Sequence, residues 1–299
     1  MISKGEIIMV NKNIVIDALS TKTNYRDSLE LSPLTKFGLE IEMDHLSLNK
    51  INDIKDKYDN KKGYIVYEDT SLKNGGIELA TRVMGNLPKN WIELKELSDY
   101  LKKKRPDFEN SSLQVNLNCH MDYNELVFFL KLYAYYEDII YRYSKGNDRV
   151  LRYGADIYAH SIREALKRTI NFGKDEIDVV EAFLNSKTFG VALKDNCGKE
   201  NLRSGINLIE FRTPNGTLNP ILWQNYVMLF QSMIDFVESG DWYGYTFDID
   251  KLSDREFDLN KAIEFANIVF VSEKEKLLFL KQYIGNRKLE SLLLTKKRN

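Results

Sequence analysis

Several features are scarce or missing in the 299-residue sequence, and each absence excludes a class of protein. The two cysteines, Cys119 and Cys197, are too few for a disulfide framework and fit a reducing compartment. No stretch approaches the ~20 apolar residues of a membrane span, and the apolar run in the opening MISKGEIIMVNKN is too short for a signal peptide. With 43 basic and 44 acidic residues, the chain lacks the basic excess of a general nucleic-acid-binding protein. We therefore expect a cytoplasmic protein without membrane or nucleic-acid partners.

The order of the predicted elements indicates the fold class. Only five prolines occur, and no Gly/Ser-rich linker or internal repeat divides the chain. We therefore expect a single domain over 1–299, with a core at about 36–238 and a helical C-terminal extension at 239–299. Grouped strands and grouped helices predict an α+β fold with an antiparallel or mixed sheet. The strands are TKFGLEIEM, GYIVYED, GIELATRV, SSLQVNLN and the run up to Phe211; the helices begin near Pro88, Tyr123, Ser161, Lys174 and Pro220, with two more at 258–283, and 194–205 is predicted to be a loop.

The segment LIEFRTPNGTLNP, residues 208–220, places an acid and an arginine two positions apart in an apolar run. Because side chains on a strand alternate between its faces, Glu210 and Arg212 share one face and Ile209 and Phe211 share the other. Three further strands divide in the same way into an apolar and a polar face. Their polar-face positions are Glu40 and Glu42 in GLEIEM, Glu78, Ala80 and Arg82 in IELATRV, and Gln114, Asn116 and Asn118 in LQVNLN.

For any single strand, a sheet with one face in water is the common explanation of this pattern. Here none of the polar-face positions is lysine or threonine, although the chain is rich in lysine. Four carboxylates on one face would repel one another and be partly protonated unless cations neutralised them. Mg²⁺ prefers oxygen ligands, and a planar guanidinium binds phosphate oxygens in a forked geometry. Together the four strands predict a site for metal ions and a nucleotide.

In chain order, GLEIEM, EDTSLKNGGIEL, SSLQVNLN and IEFRTPNGTLNP resemble the amidoligases of the carboxylate–amine ligase type, relatives of glutamine synthetase and glutamate–cysteine ligase. The resemblance covers roughly Lys36 to Val237, and its last segment is the most specific. It implies a curved, mainly antiparallel sheet with helices on one face, as in glutamine synthetase. It also implies a site for ATP and two or three Mg²⁺ ions, with Mn²⁺ as a substitute. A substrate carboxylate would attack the γ-phosphate of ATP, and an amine would convert the resulting acyl phosphate into an amide.

The resemblance also assigns roles to individual residues. Arg212 would hold the transferred phosphoryl group. Asp69, in the EDTS turn, would be a further acidic ligand or a substrate-site residue, and because the amine needs a base or a cation-attracting pocket, Asp69 is also the candidate for that role. With Glu210, these two form the predicted catalytic set. The implied metal ligands are Glu40, Glu42, Glu78, Gln114 and Glu210, and the implied nucleotide contacts are Arg212, Asn116 and Arg203, with a solvated loop arginine as the alternative for Arg203. Arg82 is added to the nucleotide contacts because it is predicted on the same strand face as Glu78. The substrates would be small-molecule or peptide carboxylates and amines.

Two alternatives to an active ligase stay open. The third strand of these ligases often carries a metal-binding histidine where this chain has Gln114. An amide oxygen can still bind Mg²⁺, but the change also fits a degenerate relative that binds a nucleotide and acts as a binding or scaffolding protein. The second alternative is a metal-dependent nuclease, against which the balanced net charge and the pairing of Glu210 with Arg212 both argue.

Overall fold

A computed structural model describes residues 4–69, 72, 76–108, 110–146, 159–171, 173, 175–195, 206–249 and 257–285, without the side chains of 4–11 and 195. Among these residues, no helix has the length and the apolar character needed to cross a membrane. The helices are α1 (Lys4–Ser20), α2 (Leu48–Tyr58), α3 (Pro88–Lys104), α4 (Tyr123–Tyr135), α5 (Glu137–Ser144), α6 (Arg163–Asn171), α7 (Glu176–Glu181), α8 (Pro220–Glu238), α9 (Leu259–Val269) and α10 (Glu273–Ile284). The strands are β1 (Lys36–Met43), β2 (Ile65–Glu68), β3 (Ile77–Ala80), β4 (Met84–Gly85), β5 (Leu113–Asn118), β6 (Val191–Asp195) and β7 (Ile206–Phe211).

The strands form one seven-stranded sheet in the order β2-β3-β1-β5-β7-β6, with β4 paired to the start of β1. The sequence predicts an antiparallel or a mixed sheet, and every strand pair of the structure is antiparallel, which confirms the first of these two possibilities. The chain order is not the spatial order, because β1 lies between β3 and β5 and the strand that follows β6 returns to pair with β5. The strands that carry the polar positions, β3, β1, β5 and β7, are therefore consecutive neighbours in the sheet.

The apolar face of the sheet is covered by helices. Phe37 of β1 stacks on Trp91 of α3, with ring centroids 4.7 Å apart. Phe211 of β7 stacks on Phe230 of α8 at 4.0 Å and meets Phe129 of α4 edge-on. These side chains are buried with the inward residues of the central strands in one hydrophobic core. Burial of this apolar surface is the main favourable contribution to folding, and it fixes which face of each strand is left for the polar residues.

The C-terminal helices share that core. Phe279 of α10 stacks on Tyr143 of α5 at 4.9 Å, and Glu275 of α10 is held by Arg26 at 2.5 Å. The side chains of α9 and α10 belong to the same hydrophobic cluster as the sheet. The helical extension predicted after residue 238 therefore packs against the sheet-bearing part of the molecule.

Local sequence signals placed most helices well. Asn219 caps α8 by accepting from the Ile221 N–H, and Pro220 is its first residue, as the sequence predicts. The helix predicted from Tyr123 to Tyr143 is instead divided at Tyr136 into α4 and α5. The predicted loop at 194–205 was wrong at its start, because Lys194 and Asp195 belong to strand β6.

The outer edge of the sheet at β2 is covered locally. The carboxylate of Asp59, in the turn after α2, accepts a hydrogen bond from the Val66 N–H at 2.9 Å. The Asn60 N–H donates to the Tyr64 carbonyl just before the strand. Backbone groups that would otherwise be open on this edge strand are thus bonded within the chain.

Candidate functional site

The register of the sheet brings the predicted polar positions onto one face. Residues directly opposite each other in neighbouring strands point the same way. Glu42 lies opposite Glu78, Glu40 lies opposite Gln114, and Asn116 lies opposite Glu210. Residues up to 170 positions apart in the chain therefore form a single layer on the sheet face opposite the apolar one.

Three carboxylates form a compact group at the β2 and β3 side of this face. Glu42, Asp69 and Glu78 each offer an oxygen, and these oxygens lie within 4.8 Å of one another. Asp69 reaches the group because the backbone turns back after β2, with the Asp69 N–H donating to the Gly76 carbonyl. Glu42 is 8 % exposed and the other two are half-buried. Clustered carboxylate oxygens are the ligand set that Mg²⁺ prefers, so these residues fit a hard divalent cation.

Burial and the crowding of acids raise the pKa values of Glu78 and Glu40. Burial, together with the neighbouring charges of Glu40, Glu42 and Asp69, raises the pKa of Glu78 to about 8, against a smaller opposing effect of Arg212. Burial and the charge of Glu210 raise the pKa of Glu40, although Asn116 donates a hydrogen bond to it at 2.8 Å. Both shifts arise because charged carboxylates are removed from water beside like charges. A bound cation would reverse this effect by favouring the ionised forms.

Gln114 connects the acidic group to the arginine. Its side-chain nitrogen donates to Glu42 at 3.1 Å, and its side-chain oxygen accepts from Arg212 at 2.9 Å. The residue is 3 % exposed, so these two bonds fix the orientation of the amide. The role of Gln114 as a metal ligand stays a prediction; in this structure its side-chain oxygen accepts a hydrogen bond from the Arg212 guanidinium. The Ser112 N–H, which the sequence did not indicate, supplies Glu42 with a second donor at 2.7 Å.

Glu210 lies between two cations. One of its carboxylate oxygens is 2.5 Å from the Arg212 guanidinium, and the other is 3.0 Å from the Lys194 ammonium. Glu210 is 5 % exposed, so both ion pairs are largely shielded from water. Glu210 is therefore engaged by cations in this structure and lies outside the carboxylate group of Glu42, Asp69 and Glu78. Its position fits that of a residue that holds two positive groups in place.

Lys194 is the site residue that the sequence analysis missed. It lies on β6, two residues after Ala192, which pairs directly with Glu210. The alternation in VALKD would place Lys194 on the polar face, but the run was too short to be recognised as a strand beside the polar loop that follows it. The premise that lysine is absent from the polar face was therefore wrong. Lys36, at the start of β1, has the same alternation as Glu40 and Glu42 and is exposed.

One predicted nucleotide contact, Arg82, does not join the site. Arg82 was expected to share a face with Glu78, but β3 ends at Ala80 and the alternation ends with it. The Arg82 guanidinium instead pairs with Glu93 of α3 at 2.6 Å and donates to Asn90. The prediction that Arg82 shares the polar sheet face with Glu78 is therefore wrong. Arg203 lies outside the described residues.

The site as a whole carries an excess of negative charge. Its acids are Glu40, Glu42, Asp69, Glu78 and Glu210, and its cations are Arg212 and Lys194. With every group ionised, five negative charges face two positive ones, which leaves an excess of three. One side of the site holds the carboxylate oxygens that a divalent cation would need, and the other holds a guanidinium and an ammonium beside Glu210. An anion that brings its own metal ions would meet both requirements.

A comparison with protein-family models and a comparison with curated proteins each found no match to this chain.

Proposed function

We propose that the protein is an ATP- and Mg²⁺-dependent carboxylate–amine ligase that forms an amide through an acyl phosphate. The observation that carries the proposal is the placement of the Glu42, Asp69 and Glu78 carboxylates on the same sheet face as the Arg212 and Lys194 cations. A nucleotide triphosphate with bound Mg²⁺ has matching chemistry, since its metal ions need carboxylate ligands and its phosphates need positive charge. The antiparallel sheet with helices on its apolar face also agrees with the layout that the resemblance to amidoligases implies.

The roles of the residues follow from their positions. Glu42, Asp69 and Glu78 would hold Mg²⁺, with Glu40 beside them on β1. Bound Mg²⁺ would offset the repulsion between the substrate carboxylate and the phosphates. Asp69 is half-buried and lies within this group, so its first role is that of a ligand, and the base for the amine becomes a secondary assignment.

The phosphate side of the site would depend on Arg212 and Lys194. Transfer of a phosphoryl group requires positioning and charge neutralisation more than covalent participation by the protein. Glu210 would orient both cations through its two carboxylate oxygens, and Gln114 would orient the guanidinium from the other side. Asn116 would act on Glu40 by its hydrogen bond, which replaces its predicted contact to the nucleotide. A cytoplasmic location, with its supply of ATP and Mg²⁺, would suit this activity.

An ADP-release assay tests the proposal. Purified protein with MgATP would be screened against amino acids, polyamines and short peptides, and products would be identified by mass spectrometry. We expect ADP release that requires both a carboxylate and an amine. Replacing Arg212 by alanine should reduce the rate by about 100-fold or more, because it removes a donor aimed at developing charge. Arg82→Ala is the matched control, since Arg82 is paired with α3 and should leave the rate unchanged.

Binding is measured separately from turnover. MgATP should raise the melting temperature of the wild-type protein, because a ligand that binds only the folded state stabilises it. Glu78→Gln should lose this stabilisation, while Glu68→Gln, an exposed acid on the neighbouring strand, should retain it. A wild-type protein that MgATP does not stabilise would contradict the proposed function.

A second candidate is a nucleotide-binding relative without turnover. The observation that favours it is Gln114, whose amide is occupied by Glu42 and Arg212 at the position where the resembled ligases often carry a metal-binding histidine. This candidate predicts stabilisation by MgATP but no ADP release with any pair of substrates. Nicking of a plasmid by the purified protein would instead favour a nuclease.

A further inference from the structure

The NGTLN segment, residues 215–219, has no part in the site described above, yet the chain holds it firmly. The Asn215 N–H donates to the Ser144 carbonyl, and the Gly216 N–H donates to the Ser111 carbonyl. The indole of Trp223 donates to the Thr217 carbonyl at 2.8 Å. The Leu218 carbonyl accepts from the buried hydroxyl of Ser98 at 2.6 Å. The backbone of this segment is therefore fixed from several sides and forms a preformed surface.

One side of this segment borders a cavity of about 520 Å³. This volume is within the range of small-molecule sites, about 300–1,000 Å³. The cavity lies between the C-terminal turn of α3, the end of α5 and the first turns of α8, and none of the carboxylates or cations of the candidate site lines it. It is a separate concavity, and we call it the Lys102–Lys145 cavity after the two cations among its lining residues.

The charged residues among the described lining of the cavity are positive. Lys102, in the last turn of α3, and Lys145, just after α5, both contribute to its walls. The described lining residues include no aspartate or glutamate. Lys102 has an exposed partner, Asp99, at 3.5 Å, a pair that contributes little in water and can be exchanged for a ligand. Two lysines that line one concavity favour an anion as its ligand.

The other lining residues are partly apolar and partly polar, so the cavity can distinguish ligands by more than their charge. Phe108, Leu222 and Tyr226 provide an aromatic and aliphatic wall, while Asn215 and Thr217 provide polar groups. Binding sites for small molecules combine such apolar walls with a few polar groups that fix orientation. Gly216 allows this arrangement, because a Cβ there would lie 2.9 Å from both Phe108 and the Ser111 carbonyl oxygen.

We propose that the Lys102–Lys145 cavity binds a small anionic molecule, a phosphate monoester or a carboxylate, that carries an aromatic or apolar portion. The anionic group would be held by the two lysines, and the apolar portion would pack on Phe108 and Tyr226. The site does not depend on the acid-rich sheet face or on the proposed ligase activity. It is linked to that face through Ser112, whose N–H donates to Glu42 and which pairs as an isolated bridge with Asn215.

Isothermal titration of the full chain in EDTA tests this site, with phenyl phosphate, inorganic phosphate and benzyl alcohol as probes. We expect phenyl phosphate to bind more tightly than either of the others, because it alone has both the charge and the ring. The double variant Lys102→Gln/Lys145→Gln should weaken phenyl phosphate binding by about 10-fold, as expected for the loss of two partly exposed ion pairs. Lys103→Gln, in the same helical turn but outside the lining, is the matched control and should bind as the wild type does.

A further variant separates this site from the proposed function. Glu78→Gln, which alters the metal side of the other site, should bind phenyl phosphate with unchanged affinity. Failure of ADP release would therefore leave this proposal intact. The proposal is overturned if phenyl phosphate does not bind at millimolar concentrations, or if the double variant binds it as tightly as Lys103→Gln does. Equal binding of phenyl phosphate and inorganic phosphate would overturn the role of the aromatic wall.

Discussion

The Arg212 guanidinium donates a hydrogen bond to the side-chain oxygen of Gln114 at 2.9 Å, and this contact joins the two halves of the polar sheet face. Through the other end of its amide, Gln114 also holds Glu42. Gln114, which was expected to bind metal, thus forms hydrogen bonds to both a carboxylate and a guanidinium. It lies between the Arg212 guanidinium and the Glu42 carboxylate, and because it is uncharged it neutralises neither of them.

Gln114→Met should lower the free energy of unfolding by about 1–3 kcal/mol, because it leaves buried polar partners without their hydrogen bonds. Methionine has a similar size and shape, so little packing is lost. Gln231→Met is the matched control. Gln231 is also buried, but its side-chain oxygen has no hydrogen-bonding partner among the described residues, and its nitrogen donates only to Asp235. Urea unfolding should show a smaller loss for Gln231→Met, and equal losses in the two variants would contradict the bridging role of Gln114.

The metal-free protein should lose stability as the pH rises. The pKa of Glu78 is raised from 4.5 to about 8, so between these values the folded state binds more protons than the unfolded state. Stability falls with pH wherever the folded state binds the excess protons. Urea unfolding in EDTA should therefore give a lower free energy at about pH 8 than at about pH 5. Glu78→Gln should reduce this difference, and an undiminished difference in that variant would show that other groups cause it. Glu68→Gln serves as the control.

Lys194→Met should impair ATP use if Lys194 binds a phosphate group. Loss of one charge-assisted contact costs about 1.5–3 kcal/mol, which corresponds to a rise of about 10-fold or more in the KM for ATP. Lys36→Met is the control, since Lys36 is exposed at the far end of β1 and forms no ion pair with Glu210. Initial rates of ADP release over a range of ATP concentrations measure the effect. An unchanged KM in Lys194→Met would limit Lys194 to a structural partner of Glu210.

Two glycines should respond differently to replacement by alanine. At Gly216 a Cβ would lie 2.9 Å from a backbone oxygen of Ser111, which cannot easily move, so Gly216→Ala should destabilise the protein by about 1–3 kcal/mol. At Gly38, on β1, the nearest side-chain atoms would lie 3.9 Å away, an ordinary contact distance. Gly38→Ala should therefore change stability by less than about 0.5 kcal/mol. Urea unfolding compares the two, and similar losses would contradict the close packing of residue 216 on Ser111.

The site could be predicted from the sequence wherever strand alternation is regular. The apolar residues that alternate with Glu40, Glu42, Gln114 and Glu210 along their strands all belong to the hydrophobic core. Burial of that apolar face therefore determines the side on which the polar residues lie. Arg82 was assigned to the wrong surface because the alternation stops at Ala80, and nothing in IELATRV marks that end. The sequence also gives no sign of the helix break at Tyr136, since apolar residues continue through it.

Relationships between side chains were less predictable than faces. The register of β6 on β7, which places Lys194 beside Glu210, depends on pairing between strands that the sequence does not reveal. The same limit applies to Gln114. Its residue type and strand position do not reveal whether its amide oxygen contacts a metal ion or a guanidinium. The cavity at Lys102 and Lys145 gave no sequence signal, because its walls come from α3, α5 and α8 and the loops between them.

The carboxylate of Asp59 has a consequence for the behaviour of the protein at high concentration. By accepting from the Val66 N–H, it occupies a position on β2 that an extended segment of another chain would need for hydrogen bonding. Open edge strands with exposed apolar side chains promote association of sheets between molecules, and Ile65 and Tyr67 are both exposed on this strand. One aspartate in a turn thus removes one backbone donor that pairing with another molecule would use, on the strand next to the acidic site.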